Sequence, residues 1–184
     1  MATVVLGSPV DVMLVVDMQV GLLRGDPKYD LTGVVDRINY LAAKIGGQSG
    51  KVIFVQHSDA RDKDFAPGSP GWQLLPELTR DTSDIVIRKH LNDPFAGTGL
   101  QARLNEIAPD RLLVTGWATD LCVDATVRSA VANGHNVIAV ADAHTLSDRP
   151  HLDAVSVIRH HNWIWRNLIT EHAIDVIEAR RLLS

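Results

Sequence analysis

The chain has 184 residues, 46% of them hydrophobic and 22% charged, with a formal net charge of -4. That length suits one α/β domain over 1–184, and the mixed, mildly acidic surface argues against a nucleic-acid partner or an anionic membrane. A single cysteine rules out a disulfide within the chain and points to the cytoplasm rather than to a secreted scaffold.

The first nineteen residues, MATVVLGSPVDVMLVVDMQ, are apolar in places but lack a basic start. Pro9, Asp11 and Asp17 interrupt them, so they read as the first buried strand, not as a signal peptide or membrane span. Short apolar runs follow at 12–16, 52–56, 85–87, 112–115 and 136–141, with a weaker one at 167–170. Their continuous Val/Ile/Leu character predicts strands covered on both faces, the habit of parallel sheets. Between the runs lie segments of helical period. Residues 31–44 carry a stripe at Val34, Ile38, Leu41 and Ile45 and stop at Gly46-Gly47. Further helices are expected at 100–108, ahead of Pro109, at 120–132, ending on Asn133-Gly134, and at 152–166 and 173–183. The alternation predicts a three-layer α/β/α sandwich around a mainly parallel, Rossmann-like sheet of six strands. Residues 58–71, which hold Asp, Arg, Lys, Gly and Pro and no apolar period, read as a long loop leaving the second strand.

In open α/β sheets the ligand site lies beyond the carboxyl ends of the strands. Asp17 ends the first run, Lys89 ends the third, and Cys122 follows the fourth after a short turn. An acid, a cation and the only thiol therefore share one rim. Cys122 opens a helix, where free N–H groups and the helix dipole favour thiolate and can lower a thiol pKa into the range ~3.5–7.5. The same N–H groups can hold an oxyanion. The other reading of Cys122 is a small core residue. Asp17 likewise suits a cap or turn, and Lys89 a solvated cation after a strand.

The segments VVDMQ at 15–19, KHLNDPF at 89–95 and TGWATDLCVDATVRSA at 115–130 resemble the three signature blocks of the isochorismatase-like cysteine hydrolases. GSPGWQLLPEL at 68–78 is similar to the loop before that family's third strand. The resemblance spans almost the whole chain. It implies a hydrolase in which Cys122 is the nucleophile, Asp17 exchanges its proton, and Lys89 orients both and stabilises charge. It also implies a cis peptide between Trp117 and Ala118, with the N–H groups of Ala118 and Cys122 forming the oxyanion hole. The expected reaction is cleavage of an amide, ureide or carbamoyl C–N bond of a small molecule. The alternatives are vinyl-ether hydrolysis of the isochorismatase type and a non-catalytic binding protein that keeps the fold. A dinucleotide-binding module would need a glycine-rich turn that DMQVGLLRG lacks.

Trp117, Trp72, Phe65, His90 and Asn92 are the candidate substrate contacts, since they fall near the same rim. Nicotinamidases of the family hold a divalent ion with an Asp and several His after the second strand. Here the matching region offers His57, Asp59, Asp62 and Asp64, with no second histidine before His90, so neither metal nor other cofactor is expected. Trp163 and Trp165 cannot share one face of a helix; one is expected inside and the other against a neighbouring subunit. The family's habit implies a homo-oligomer, a dimer or larger.

Overall fold

The computed structural model describes residues 10–47 and 50–182, so the part of the first-strand reading that falls on 1–9 lies outside the described residues. Six strands form one sheet: β1 (Asp11–Val16), β2 (Lys51–His57), β3 (Ile85–Lys89), β4 (Arg111–Trp117), β5 (Val137–Thr145) and β6 (Ile174–Ile177). All of their pairings are parallel, and their order is β3-β2-β1-β4-β5-β6. The helices are α1 (Val20–Leu23), α2 (Leu31–Gly46), α3 (Leu100–Ile107), α4 (Asp124–Ala132) and α5 (Ala154–Arg166). None of the described helices is long and apolar enough to cross a membrane.

Every residue of β1 is buried because both faces of the sheet are covered. Met13 and Val15 join Val34, Ile38, Leu41 and Ile45 of α2 in one cluster. Val12, Leu14 and Val16 join Leu100 and Leu104 of α3, Val127 of α4 and Trp165 of α5 in the other. The period-two side-chain alternation of a strand thus feeds two separate cores. Trp165 is buried, whereas Trp163 on the same helix is 61% exposed.

From β1 the chain moves outward to β2 and β3; from β4 it moves the other way to β5 and β6. Direction therefore reverses between neighbours β1 and β4, which makes the space beyond their carboxyl ends the switch-point crevice. Gly116 lets the two strands meet there. Its φ is +121°, and a Cβ on it would stand 2.1 Å from the backbone oxygen of Val16. A clash with backbone cannot be relieved by a rotamer change. Gly116→Ala is expected to cost at least about 3 kcal/mol by denaturant unfolding, and an unchanged midpoint would contradict the close approach.

Three sequence expectations need correction. The last strand is not at 167–170, where α5 ends and an irregular segment follows, but at Ile174–Ile177. The helix expected at 173–183 is instead this strand followed by a 3-10 turn, Ala179–Leu182, with Leu183 outside the described residues. Ile174 and Val176 reach the core beside Trp165 while Asp175 is exposed, a strand alternation stabilised by pairing with Val137–Val140. The helix expected at 120–132 opens as a π-helical turn, Thr119–Val123, before α4.

Candidate active site

Asp17 leaves β1 with φ +49°, a left-handed conformation that aspartate tolerates better than most residues. Its backbone N–H donates to the Val55 carbonyl at 2.9 Å, which ties the turn to β2. Lys89 is the last residue of β3, wholly buried, and its Nζ lies 2.6 Å from Asp17 Oδ2. The same ammonium donates to the Leu91 carbonyl at 3.0 Å and to Cys122 Sγ at 3.3 Å. The Cys122 thiol also points to Asn92 Oδ1, 3.6 Å away. Acid, cation and thiol, drawn from the ends of β1, β3 and β4, therefore meet in one buried cluster with Asn92 beside the sulfur.

The two buried acids at the opposite ends of β1, Asp11 and Asp17, behave differently. Asp11, at the strand's start, is held by the Arg111 guanidinium through two contacts of 2.7 and 2.8 Å. Neither carboxylate oxygen of Asp17 receives a well-directed hydrogen bond among the described residues, although the ammonium is close. Asp17 is thus a desolvated base whose close partners are the Lys89 ammonium and the Cys122 thiol. Burial raises its pKa, opposed chiefly by the charge of Lys89.

The thiol departs from the expectation of a thiolate at a helix N-terminus. Burial, reinforced by the Asp17 charge and opposed by Lys89, pushes the Cys122 pKa up to about 12. The π-helical turn is tucked between strand ends and is 6% exposed at Cys122, so desolvation outweighs the local dipole. The resting sulfur keeps its proton beside the Asp17–Lys89 pair, an arrangement suited to proton transfer during attack. Alkylation of Cys122 by iodoacetamide should therefore accelerate steadily from about pH 7 to about pH 10; a plateau near neutrality would mean an anionic resting sulfur.

The peptide bond joining Trp117 to Ala118 is cis, and the chain then winds through Thr119–Val123. Ala118 O accepts from the N–H groups of Leu121 and Val123 at 3.0 and 3.1 Å, closing the turn. Asp120 is gripped by Arg149 through contacts of 2.8 and 2.6 Å, and Thr126 Oγ1 donates to the Cys122 carbonyl at 2.6 Å.

The remaining candidates fall into two groups. Trp72, Phe65 and His90 gather around the end of β2. The Trp72 indole donates to Ser58 Oγ at 2.7 Å, with the Arg88 guanidinium 5.0 Å above its ring. His90 Nδ1 contacts the Ser58 carbonyl at 2.5 Å, and Phe65 meets His57 edge-on at 5.7 Å. Trp117 instead packs with the α2-side cluster and with Ala118, Leu146 and Ala154, and its buried Nε1 has no partner among the described residues. Of the acids considered for a metal, Asp59 accepts from the Arg61 guanidinium and Asp62 from the Asp64 N–H.

Sequence reading passed over Gln19. Its amide donates to the carbonyls of His57 and Trp72 and accepts from the His57 N–H, stitching the end of β1 to β2 and to the loop. Its place at the end of VVDMQ, two residues after the strand-end acid, was the one local hint, and it carried no sign of these partners. It also passed over Asp93, which accepts from Ser129 Oγ at 2.7 Å and holds the Asn92 loop against α4.

Comparison with known proteins gives a consistent result. Residues 11–163 match the isochorismatase domain model. The chain is 34% identical to a streptothricin hydrolase of Streptomyces noursei, over 77% of this chain and 51% of that protein, so it spans about half of that relative's length. It is 26% identical to the ureidoacrylate amidohydrolase RutB of Methylorubrum extorquens, over 93% and 85% of the two chains. A crystal structure of an isochorismatase family protein superposes with a TM-score of 0.82 at 29% identity, over 91% and 98%.

Proposed function

This chain belongs to the isochorismatase family, and we propose that it is a cysteine hydrolase that cleaves the C–N bond of a small amide, ureide or carbamoyl compound. The observation that carries the reading is the contact of Lys89 with both Asp17 and Cys122 in one buried cluster. A relative named as an amidohydrolase supports the bond type.

In this mechanism the Cys122 sulfur attacks the carbonyl carbon as its proton passes to Asp17. Lys89 offsets the negative charge that the pair shares. The carbonyl oxygen becomes an oxyanion held by the N–H groups of Ala118 and Cys122. Asp17 returns the proton to the leaving nitrogen, the C–N bond breaks, and a thioester remains. Water then attacks the thioester, gives a proton to Asp17, and releases the acid as the thiol is restored. Asn92, Phe65, His90, Trp72 and Trp117 are the proposed substrate contacts, with Asn92 nearest the sulfur. We further infer that this chain folds as one hydrolase domain and acts in the cytoplasm as a homo-oligomer, with exposed Trp163 on α5 supporting a subunit contact.

The test is a screen of small primary amides, ureides and carbamoyl compounds for ammonia release. Release by the wild-type protein and none by Cys122→Ala is expected. Equal release by both would refute the reading.

A further inference from the structure

Fully buried His144 has no part in the mechanism above, yet it joins α5 to the nucleophile's turn. It lies in β5, where Gly116 is its register partner on β4. Its Nδ1 is 2.9 Å from Thr119 Oγ1, and its Nε2 is 3.3 Å from Asn162 Oδ1 on α5. The proton positions follow from the far end of this chain. Asn162 Nδ2 donates to the Ala141 carbonyl at 2.9 Å, so the amide oxygen is the atom that faces His144. An oxygen there can only accept, so Nε2 carries the proton of the neutral ring. Nδ1 is then an acceptor, and the Thr119 hydroxyl must donate to it. Burial holds the ring neutral at ordinary pH, lowering its pKa to about 4.

A second contact holds the other side of the same turn. The His144 ring sits edge-on to Trp165, with centroids 5.1 Å apart. The Trp165 indole in turn donates to Asp124 Oδ1 at 2.8 Å. Thr119 and Asp124 flank Cys122 three residues before and two after. His144 of β5, together with Asn162 and Trp165 of α5, thus anchors both ends of the segment that carries the sulfur and follows the Ala118 N–H.

We propose that His144 is a positioning residue, which fixes the turn of Ala118 and Cys122 by accepting a hydrogen bond from the Thr119 hydroxyl at Nδ1 while donating one from Nε2 to Asn162 Oδ1. The inference rests on the hydrolase reading for its catalytic consequence, but the relay itself can be observed without any substrate. A buried acceptor in this place locks the hydroxyl, and with it the backbone of the turn, in one orientation.

Three measurements test it. Histidine 15N spectra of the wild-type protein should show His144 protonated on Nε2, and Thr119→Val should move the Nδ1 resonance toward a free acceptor. A ring protonated on Nδ1 overturns the assignment. Next, His144→Gln retains a donor toward Asn162 but removes the acceptor facing Thr119. It should lower the iodoacetamide rate at Cys122 and kcat by roughly tenfold or more, with KM little changed. His144→Asn puts an amide oxygen near the position of Nδ1 and should restore most of the rate, an outcome that a merely structural role would not produce. A folded His144→Gln protein with the wild-type alkylation rate overturns the proposal. Finally, the smaller change Thr119→Val should reproduce the loss and should not add to that of His144→Gln. Turnover surviving in Cys122→Ala would refute the hydrolase reading alone, so the two failures are distinguishable.

Discussion

Cys122→Ala is expected to fold as the parent does and to lose turnover by roughly four orders of magnitude or more, the scale seen when a covalent nucleophile is removed. The side chain is small and only one heavy atom is removed, so the stability change should stay within about 1 kcal/mol. Asp17→Asn separates the two roles of the pair. It removes the base, so turnover should fall comparably. It also removes a charge that raises the thiol pKa, so iodoacetamide should modify Cys122 faster than in the wild type. A variant that is catalytically dead yet more reactive toward the alkylating agent would be hard to explain by misfolding. Slower alkylation together with lost turnover would instead point to a damaged pocket.

Lys89→Met should give the largest loss of stability. The methionine nearly fills the lysine's volume, so packing changes little. Asp17, however, would stay buried without its cation, and breaking a buried pair costs about 3–5 kcal/mol. The dependence on pH identifies the cause. Burial already raises the folded pKa of Asp17, and losing Lys89 removes the chief opposing influence. The folded state would then hold a proton that the unfolded state releases above its ordinary carboxylate range. Stability falls as pH rises through that window, so the penalty relative to wild type should be greater at about pH 8 than at about pH 5. Chemical denaturation at both values checks this; a penalty independent of pH would assign it to packing.

The parts of the fold legible in the sequence were those whose cause is local. Residues 12–16 are apolar without a break because β1 is covered on both faces, and that alone announces a central parallel strand. Asp17, Lys89 and Cys122 could be assigned to one rim because each follows such a run. What stayed hidden depends on partners distant in sequence. Residues 142–145 look like a polar loop, yet β5 continues through them to Thr145 by pairing with Gly116 and Trp117. His144 is tolerable there only because Thr119 and Asn162 satisfy it. Gln19 is unremarked in sequence because its partners are at His57 and Trp72. Residues 174–177 carry the strand-favouring Ile174, Val176 and Ile177, but so short a run becomes a strand only by pairing along β5. The thiol reversed its expected shift for the same reason. Helix-terminus reasoning sees three or four neighbouring residues, whereas burial of Cys122 is set by every element around it.

Mass spectrometry of acid-quenched protein during turnover tests the central claim most directly, using whichever compound releases ammonia in the screen. The peptide containing Cys122 should carry the added mass of the acyl group, bound as a thioester, and the adduct should be absent from Cys122→Ala. Sustained turnover with an unmodified Cys122, and equal turnover by Cys122→Ala, would contradict the account.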